Sequence, residues 1–227
     1  ELAPSDCELH VDTLPVDLER LAPPAETVEP AAERELVFLG NFRHPPNIDA
    51  ARRLIEGVLP RVRARRPNVR CTLVGAFPPD DLFDRAATPW VRVTGFVDDF
   101  RPFLWSAAAF VAPIDAGAGM RVKVLEALAA GAPVVATPLA MHGLGAVSHQ
   151  HCLIGRSDEE LAEHVLSVLR DGELEARLRR GGRQLASRHG IEARAEHREA
   201  IWRRAMHAAG ARSSVVNIRA KRGADAS

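Results

Sequence analysis

The sequence predicts an α/β fold built on a doubly wound, parallel, Rossmann-like sheet of about six strands, with flanking helices and a C-terminal helical segment. Three observations carry this. Short apolar runs ending in glycine, such as Leu36-Val37-Phe38-Leu39-Gly40 and Cys71-Thr72-Leu73-Val74-Gly75, recur along the chain. They lack polar alternation, as strands buried on both faces do. Amphipathic helical stripes separate them, so the segments form βαβ units.

Residues 1–33 show no sustained period, although Val11 to Val16 reads as a short strand and Ala22 to Pro30 as a linker. The first regular strand follows Glu35. Pro45-Pro46 turns the chain into a helix with the stripe Ile48, Ala51, Leu54, Ile55 and Val58, and with Asn47 as its N-cap. The second strand is Cys71–Val74, with a short helix near Asp80 to Ala87 behind it. Val91–Thr94 is the third, then a helix from Asp98 to Ala107. Ala109–Ala112 is the fourth, and a glycine-rich loop leads from it into a helix near Val122 to Ala130. Pro133–Thr137 and Cys152–Ile154 complete the sheet. Three helices close the chain, over Asp158–Arg170, Glu173–Ser187 and Ile191–Ala208; the tail after Gly210 reads as disordered. The regular domain is therefore 34–209.

Composition excludes several classes. Thirty Lys and Arg balance thirty Asp and Glu, which argues against a polybasic nucleic-acid binder. With 46% hydrophobic residues the chain buries a real core. No apolar run reaches the ~18 residues that span a bilayer. Glu1 suggests a piece of a longer chain. Cys7, Cys71 and Cys152 are sparse and unpaired in spacing, as in a reduced, cytoplasmic protein. All but two of the 30 basic residues are arginine, which makes the placement of Lys123 notable.

Ligands of such sheets bind beyond the carboxyl ends of the strands. Five loops lie there: Asn41–Asn47, Ala76–Asp80, Phe96–Asp99, Ile114–Arg121 and Pro138–Leu144. The fourth is the most informative. Gly117-Ala118-Gly119-Met120-Arg121 precedes a helix whose first N–H groups are unpaired, and glycines let an anion approach them. Arg121 and Lys123 add charge at the same helix end. The combination suits a diphosphate; the alternative is a tight loop with solvated cations. Glu126 interrupts the apolar start of that helix. Its carboxylate accepts bonds from vicinal ribose hydroxyls, or it makes a structural bond or ion pair. Other chemistries find less. The loop lacks the third glycine of GxGxxG, and neither a GxxxxGK[ST] loop nor a nucleophile elbow is present. His149-Gln150-His151 reads as a surface turn rather than a metal site. Asp98-Asp99 reads as an N-cap pair.

Taken together, Leu39-Gly40-Asn41-Phe42, Pro45-Pro46-Asn47, Val93-Thr94-Gly95-Phe96-Val97-Asp98, Gly117 through Ala127 and Gly131 through Thr137 resemble the C-terminal lobe of retaining GT-B glycosyltransferases of group 1 type. The likeness covers roughly residues 35–205. Val16–Leu21 looks like the segment by which such chains leave their N-terminal lobe, so residues 1–33 become its end and a linker. The resemblance implies a donor-binding lobe for a UDP- or GDP-sugar; the sequence shows no metal motif, and no further cofactor is expected. The acceptor, a glycan or lipid-linked molecule of polysaccharide biosynthesis, would lie on an N-terminal lobe absent here. The fragment alone would then be inactive, and the full-length protein would work in the cytoplasm, including at the inner membrane surface, with no nucleic-acid partner.

Residue by residue, the family's ribose-binding glutamate matches Glu126. The family's other acid falls eight residues earlier, on Ala118, or on Gly117 with a one-residue offset; Asp115 is the candidate replacement. Where the family often has an Arg and a Lys after the first strand, this chain has Asn41 and Asn47 with Arg43 between them. Arg121 and Lys123 are then the charges that act on the diphosphate, as in members whose loop reads GxGxRxK. Gly119 and Met120 complete the donor loop, Phe96 and Val97 meet the base through their backbone, and Thr137 to Leu144 border the cleft. Two further readings stand beside this one: a nucleotide-binding module without turnover, and a sugar-nucleotide epimerase lobe. The last helix carries an apolar stripe, Ile191, Ala195, Ile201, Trp202, Ala205 and Met206. It packs on its own sheet or on residues absent from this chain.

Overall fold

Leu36 to Phe38 and Cys71 to Leu73 are closed to solvent, and strands with no solvent face pair in parallel beneath helices on both sides. The computed structural model describes residues 14–24, 35–117 and 122–224, with side chains through residue 207. The strands are β1 (Glu35–Leu39), β2 (Arg70–Val74), β3 (Val91–Val93), β4 (Ala109–Ala112), β5 (Val134–Ala136) and β6 (Leu153–Ile154). They form one all-parallel sheet in the order β3-β2-β1-β4-β5-β6. This is the doubly wound order the sequence predicts. Its direction of growth reverses between β1 and β4, which pair as Leu36 with Ala109 and Val37 with Phe110. Crevices open at the carboxyl ends of strands on either side of such a reversal.

The helices are α1 (Leu18–Leu21), α2 (Pro45–Arg53), α3 (Leu59–Arg63), α4 (Asp80–Arg85), α5 (Arg101–Ser106), α6 (Val122–Ala129), α7 (Asp158–Arg170), α8 (Gly172–Ser187) and α9 (Ile191–Ala224). A π-helical stretch, Leu54–Val58, joins α2 to α3. It lies where Pro60 removes an N–H from the ladder and its ring crowds the carbonyl one turn back. Ser157 caps α7 by accepting from the Glu160 N–H, and Asp171 caps α8 by accepting from Glu173 and Leu174. Phe38 is the centre of the core, its ring 6.4 Å from those of both Phe42 and Phe110. Burying each such ring is worth about 2–3 kcal/mol.

Several local expectations are corrected. His44, not Asn47, occupies the N-cap of α2, because Pro45 starts the helix with its fixed φ and no donor to satisfy. Asn47 sits inside the first turn. The Asp98-Asp99 helix begins only at Arg101, with Asp99 accepting from the Arg101 N–H. Of the Val11–Val16 segment, residues 11–13 lie outside the described residues, and Val16 makes a single parallel bridge to Gly190. His151 is no surface residue: it is 2% exposed, beneath the turn that His149 (φ 65°) opens. The last helix runs through Gly210, where composition predicts the ordered chain to end. Its Ala and Arg residues are strong helix formers. Trp202 and Met206 on it are 70% and 71% exposed, so this stripe does not pack on the sheet.

Candidate functional site

Beyond the carboxyl ends of β1 and β2 lies a cleft of about 210 Å³. Gly40 and Asn41 after β1, Gly75 and Ala76 after β2, and Phe96, Val97 and Phe100 after β3 line it. Lys123 and Glu126, from the first turns of α6, form its other wall. The two strand-end glycines make the approach possible. Gly75 has φ 146°, and a Cβ there would lie 1.7 Å from the Gly40 carbonyl oxygen. Only glycine fits that backbone and that contact.

Lys123 and Glu126 are three residues apart, hence on one helix face. The Lys123 ammonium donates to Asn47 Oδ1 and lies 5.0 Å from the centre of the Phe38 ring. Asn47 Nδ2 donates to the Asn41 carbonyl at 2.7 Å, and Asn41 Oδ1 accepts from the Arg43 N–H at 3.0 Å. Asn47 therefore bridges the two walls. Glu126 is half-buried. Burial holds its carboxyl above the usual carboxylate range, with the charges of Arg20 and then Lys123 pulling it back down. A half-buried acceptor beside a cation can bind a hydroxylated, anionic ligand.

Other residues singled out by the sequence fall elsewhere. Arg43 lies outside the cleft lining and stacks 3.5 Å above the ring of Phe77, a residue with φ 60°. Asp115 also lies outside it. Its carboxylate pairs with the guanidinium of Arg53. Gly117 has φ 100° on the loop after β4. Ala118, Gly119, Met120 and Arg121 lie outside the described residues. Thr137 to Leu144 contribute nothing to the cleft lining. Thr137 is buried and donates to the Ile114 carbonyl, supporting the β4 loop from behind. Sequence reasoning missed Arg53, Phe100 and Arg20, whose partners are remote in sequence. Arg101 holds Asp99 through its guanidinium and its backbone N–H, which pushes that carboxyl down to about 2. Arg101 also donates to the Arg20 carbonyl at 3.0 Å, and Trp105 to the Leu21 carbonyl at 2.9 Å. Segment 16–21 is thereby clamped beside the cleft. Among the described residues no three His, Cys, Asp or Glu side chains converge on a metal position, and no helix is long and apolar enough to cross a membrane. Cys71 and Cys152 are buried free thiols; burial pushes Cys152 up to about 12.

The family model for glycosyl transferases group 1 matches residues 33–171. The chain belongs to the group 1 glycosyl transferases. A curated phosphatidyl-myo-inositol mannosyltransferase of Mycolicibacterium smegmatis is 30% identical over 153 residues, 65% of this chain and 39% of that protein. Among solved structures, Anabaena HepE in complex with UDP and glucose aligns with a TM-score of 0.68 at 15% identity, over 82% of this chain and 55% of that one. Sucrose-phosphate synthase from Thermosynechococcus elongatus also gives 0.68, at 20% identity, over 86% of this chain and 52% of that one. The C-terminal domain of the group 1 protein LpcC from Francisella tularensis gives 0.60 at 14% identity, over 78% of this chain and 99% of that domain. This glycosyl transferase chain thus has the GT-B C-terminal lobe fold and spans about two fifths of the length of the curated relative it matches.

Proposed function

We propose that this lobe binds a UDP- or GDP-sugar and serves the transfer of its hexose, with retention, to a glycan or lipid-linked acceptor held by another part of a longer protein. One observation carries the reading: Lys123 and Glu126 share a cleft with Asn41, Phe96 and Val97 at the reversal of the sheet. Glu126 accepts from the ribose hydroxyls. The base lies along the backbone of Phe96 and Val97. Lys123 exchanges Asn47 for the diphosphate, joined by Arg121 and by the N–H groups at the start of α6. These groups face the charge that grows on the departing diphosphate, and a preorganised cation and helix end stabilise it without reorganisation. The lobe otherwise contributes placement. The relatives support this reading: one is named as a mannosyltransferase and another is solved with UDP and glucose.

A second reading, a nucleotide-binding module without turnover, is favoured by Ala118 at the position of the family's acid and by the engagement of Asp115 with Arg53. The test is transfer from radiolabelled UDP- and GDP-hexoses by a longer protein containing this lobe, beside calorimetry on the 227-residue chain. Transfer by the longer protein, with binding alone by the chain, is expected. Binding without transfer or donor hydrolysis in the longer protein would select the second reading.

A further inference from the structure

Arg53, the last residue of α2, has a side chain only 18% exposed and directs its donors to three segments. Its Nε donates to Asp158 Oδ1 at 2.6 Å, its Nη2 to the Arg156 carbonyl at 3.0 Å, and its Nη1 to Asp115 Oδ2. The helix after β1, the turn after β4 and the start of α7 therefore meet at one guanidinium. The chain is shaped to allow it. Gly57 lies in the π-helical stretch that begins directly after Arg53, and a Cβ on Gly57 would lie 2.1 Å from Asp158 Oδ2. The glycine gives Asp158 the room to reach Arg53. π-Turns inside α-helices recur at functional sites. Asp115 stands two residues before Gly117, at the head of the loop that leads into α6. Thr137 holds the adjacent Ile114 carbonyl from the other side. The turn is pinned on both flanks, and Arg53 is not among the residues that line the cleft.

We propose that Arg53 is a positioning residue for the turn at residues 114–117 after β4, acting through Asp115 to hold that turn in place for ligand binding. The identity of the ligand as a nucleoside diphosphate rests on the function proposed above; the ordering of the loop does not. A turn fixed on folding need not be ordered at the moment of binding, so its anchoring is felt in affinity for a ligand bound next to it. It also explains Asp115: the carboxylate beside the loop is a tether, not a reader of sugar.

The experiment uses the purified chain with Arg53→Met, Arg53→Lys and Asp115→Asn. Amide hydrogen exchange is followed over residues 114–117 and the first turn of α6, with β1 and β2 as internal references. Calorimetry is run with UDP, GDP, uridine and guanosine. Arg53→Met and Asp115→Asn are expected to speed exchange in the loop about tenfold, leaving β1 and β2 unchanged, as loss of a charge-assisted tether implies. The nucleoside diphosphate that binds should weaken about tenfold, its nucleoside less than about twofold. Arg53→Lys keeps the charge and one donor and should recover part of both. Asp115→Asn leaves the Arg53–Asp158 pair in place, so it separates the loop from a disturbance of α7. Unchanged loop exchange in both Arg53→Met and Asp115→Asn, or equal losses for nucleoside and diphosphate, overturns the proposal. Faster loop exchange in a chain that binds no nucleotide would uphold the tether and sink the nucleotide reading instead.

Discussion

The Lys123 ammonium on the first turn of α6 donates to Asn47 Oδ1 on the first turn of α2, and Asn47 passes the connection on to the Asn41 carbonyl. Two helix starts on opposite sides of the sheet reversal are thus joined by one amide. Replacing Lys123 by Ala, or Arg121 by Ala, is expected to weaken UDP or GDP binding by about 1.5–3 kcal/mol. The nucleoside alone carries no phosphate and should bind almost as before. Calorimetry with both ligands checks this, and equal losses for both would point to a damaged α6 instead.

Glu126 gives two linked expectations. Because burial raises its carboxyl above the ordinary value of 4.5, the folded chain takes up its proton more readily than the unfolded chain. Its contribution to stability is full below 4.5 and is lost as pH rises through the raised value. Glu126→Gln, uncharged throughout, should therefore be more stable than the parent near neutral pH and converge with it in acid. Denaturant midpoints across that range test the sign. The same variant should bind a ribonucleoside diphosphate more weakly, with much less change for its 2′,3′-dideoxy analogue. Equal changes for both would remove the ribose from the account.

Gly75→Ala addresses the shape of the cleft. The new methyl group would meet the Gly40 carbonyl oxygen at 1.7 Å on a backbone of φ 146°. Forcing β1 and β2 apart at their carboxyl ends is expected to cost about 3 kcal/mol. A melting curve within error of the parent would show that this contact is not as tight as described.

His151 sets a pH limit on the fold. Its Nδ1 accepts the Val147 N–H at 3.0 Å, which puts the proton of the neutral ring on Nε2, a buried atom with no hydrogen-bond partner among the described residues. Burial first, and then the charge of Arg188, hold its pKa below the ordinary 6.5. The unfolded chain then binds more protons than the folded one, so stability is full above 6.5 and declines as pH falls through the lowered value. His151→Asn keeps an acceptor for Val147 and cannot titrate. Its denaturant midpoint should change less between about pH 7.5 and pH 5.5 than that of the parent. Parallel curves would assign the acid lability elsewhere.

How much of this was legible beforehand depends on whether the signal is local. Gly40, Gly75 and Gly95 mark strand ends because the buried strands before them are continuous apolar runs, and from their spacing the parallel sheet follows. Lys123 and Glu126 are readable as neighbours because helix geometry places residues three apart on one face. The tethers were not legible. Arg53 meets Asp115 and Asp158 from 62 and 105 residues away, and one arginine among so many carries no mark of its partner. Pro45 starts the helix two residues before Asn47, so the Asn47 amide does not cap it and is free to bridge. His151 is polar, and its sequence context suggests a surface turn, yet the turn that His149 opens carries it under α8, where a Cβ on Gly181 would lie 2.0 Å from the Gln150 carbonyl oxygen.

The sheet carries a second, larger cavity at its opposite end, about 390 Å³ between Glu35, Arg70, Trp90 and Arg92 at the amino ends of β1 to β3. Volume alone would favour a ligand there; the sheet reversal and the Lys123–Glu126 pair favour the smaller cleft as the proposed site. Amide chemical-shift mapping on the isotopically labelled chain, titrated with UDP and separately with GDP, decides between them. The account predicts saturable shifts at Gly40, Asn41, Gly75, Phe96, Val97 and the first turns of α6 for at least one of the two nucleotides. Shifts centred on Trp90 and Arg92, or no shifts with either nucleotide, would contradict it.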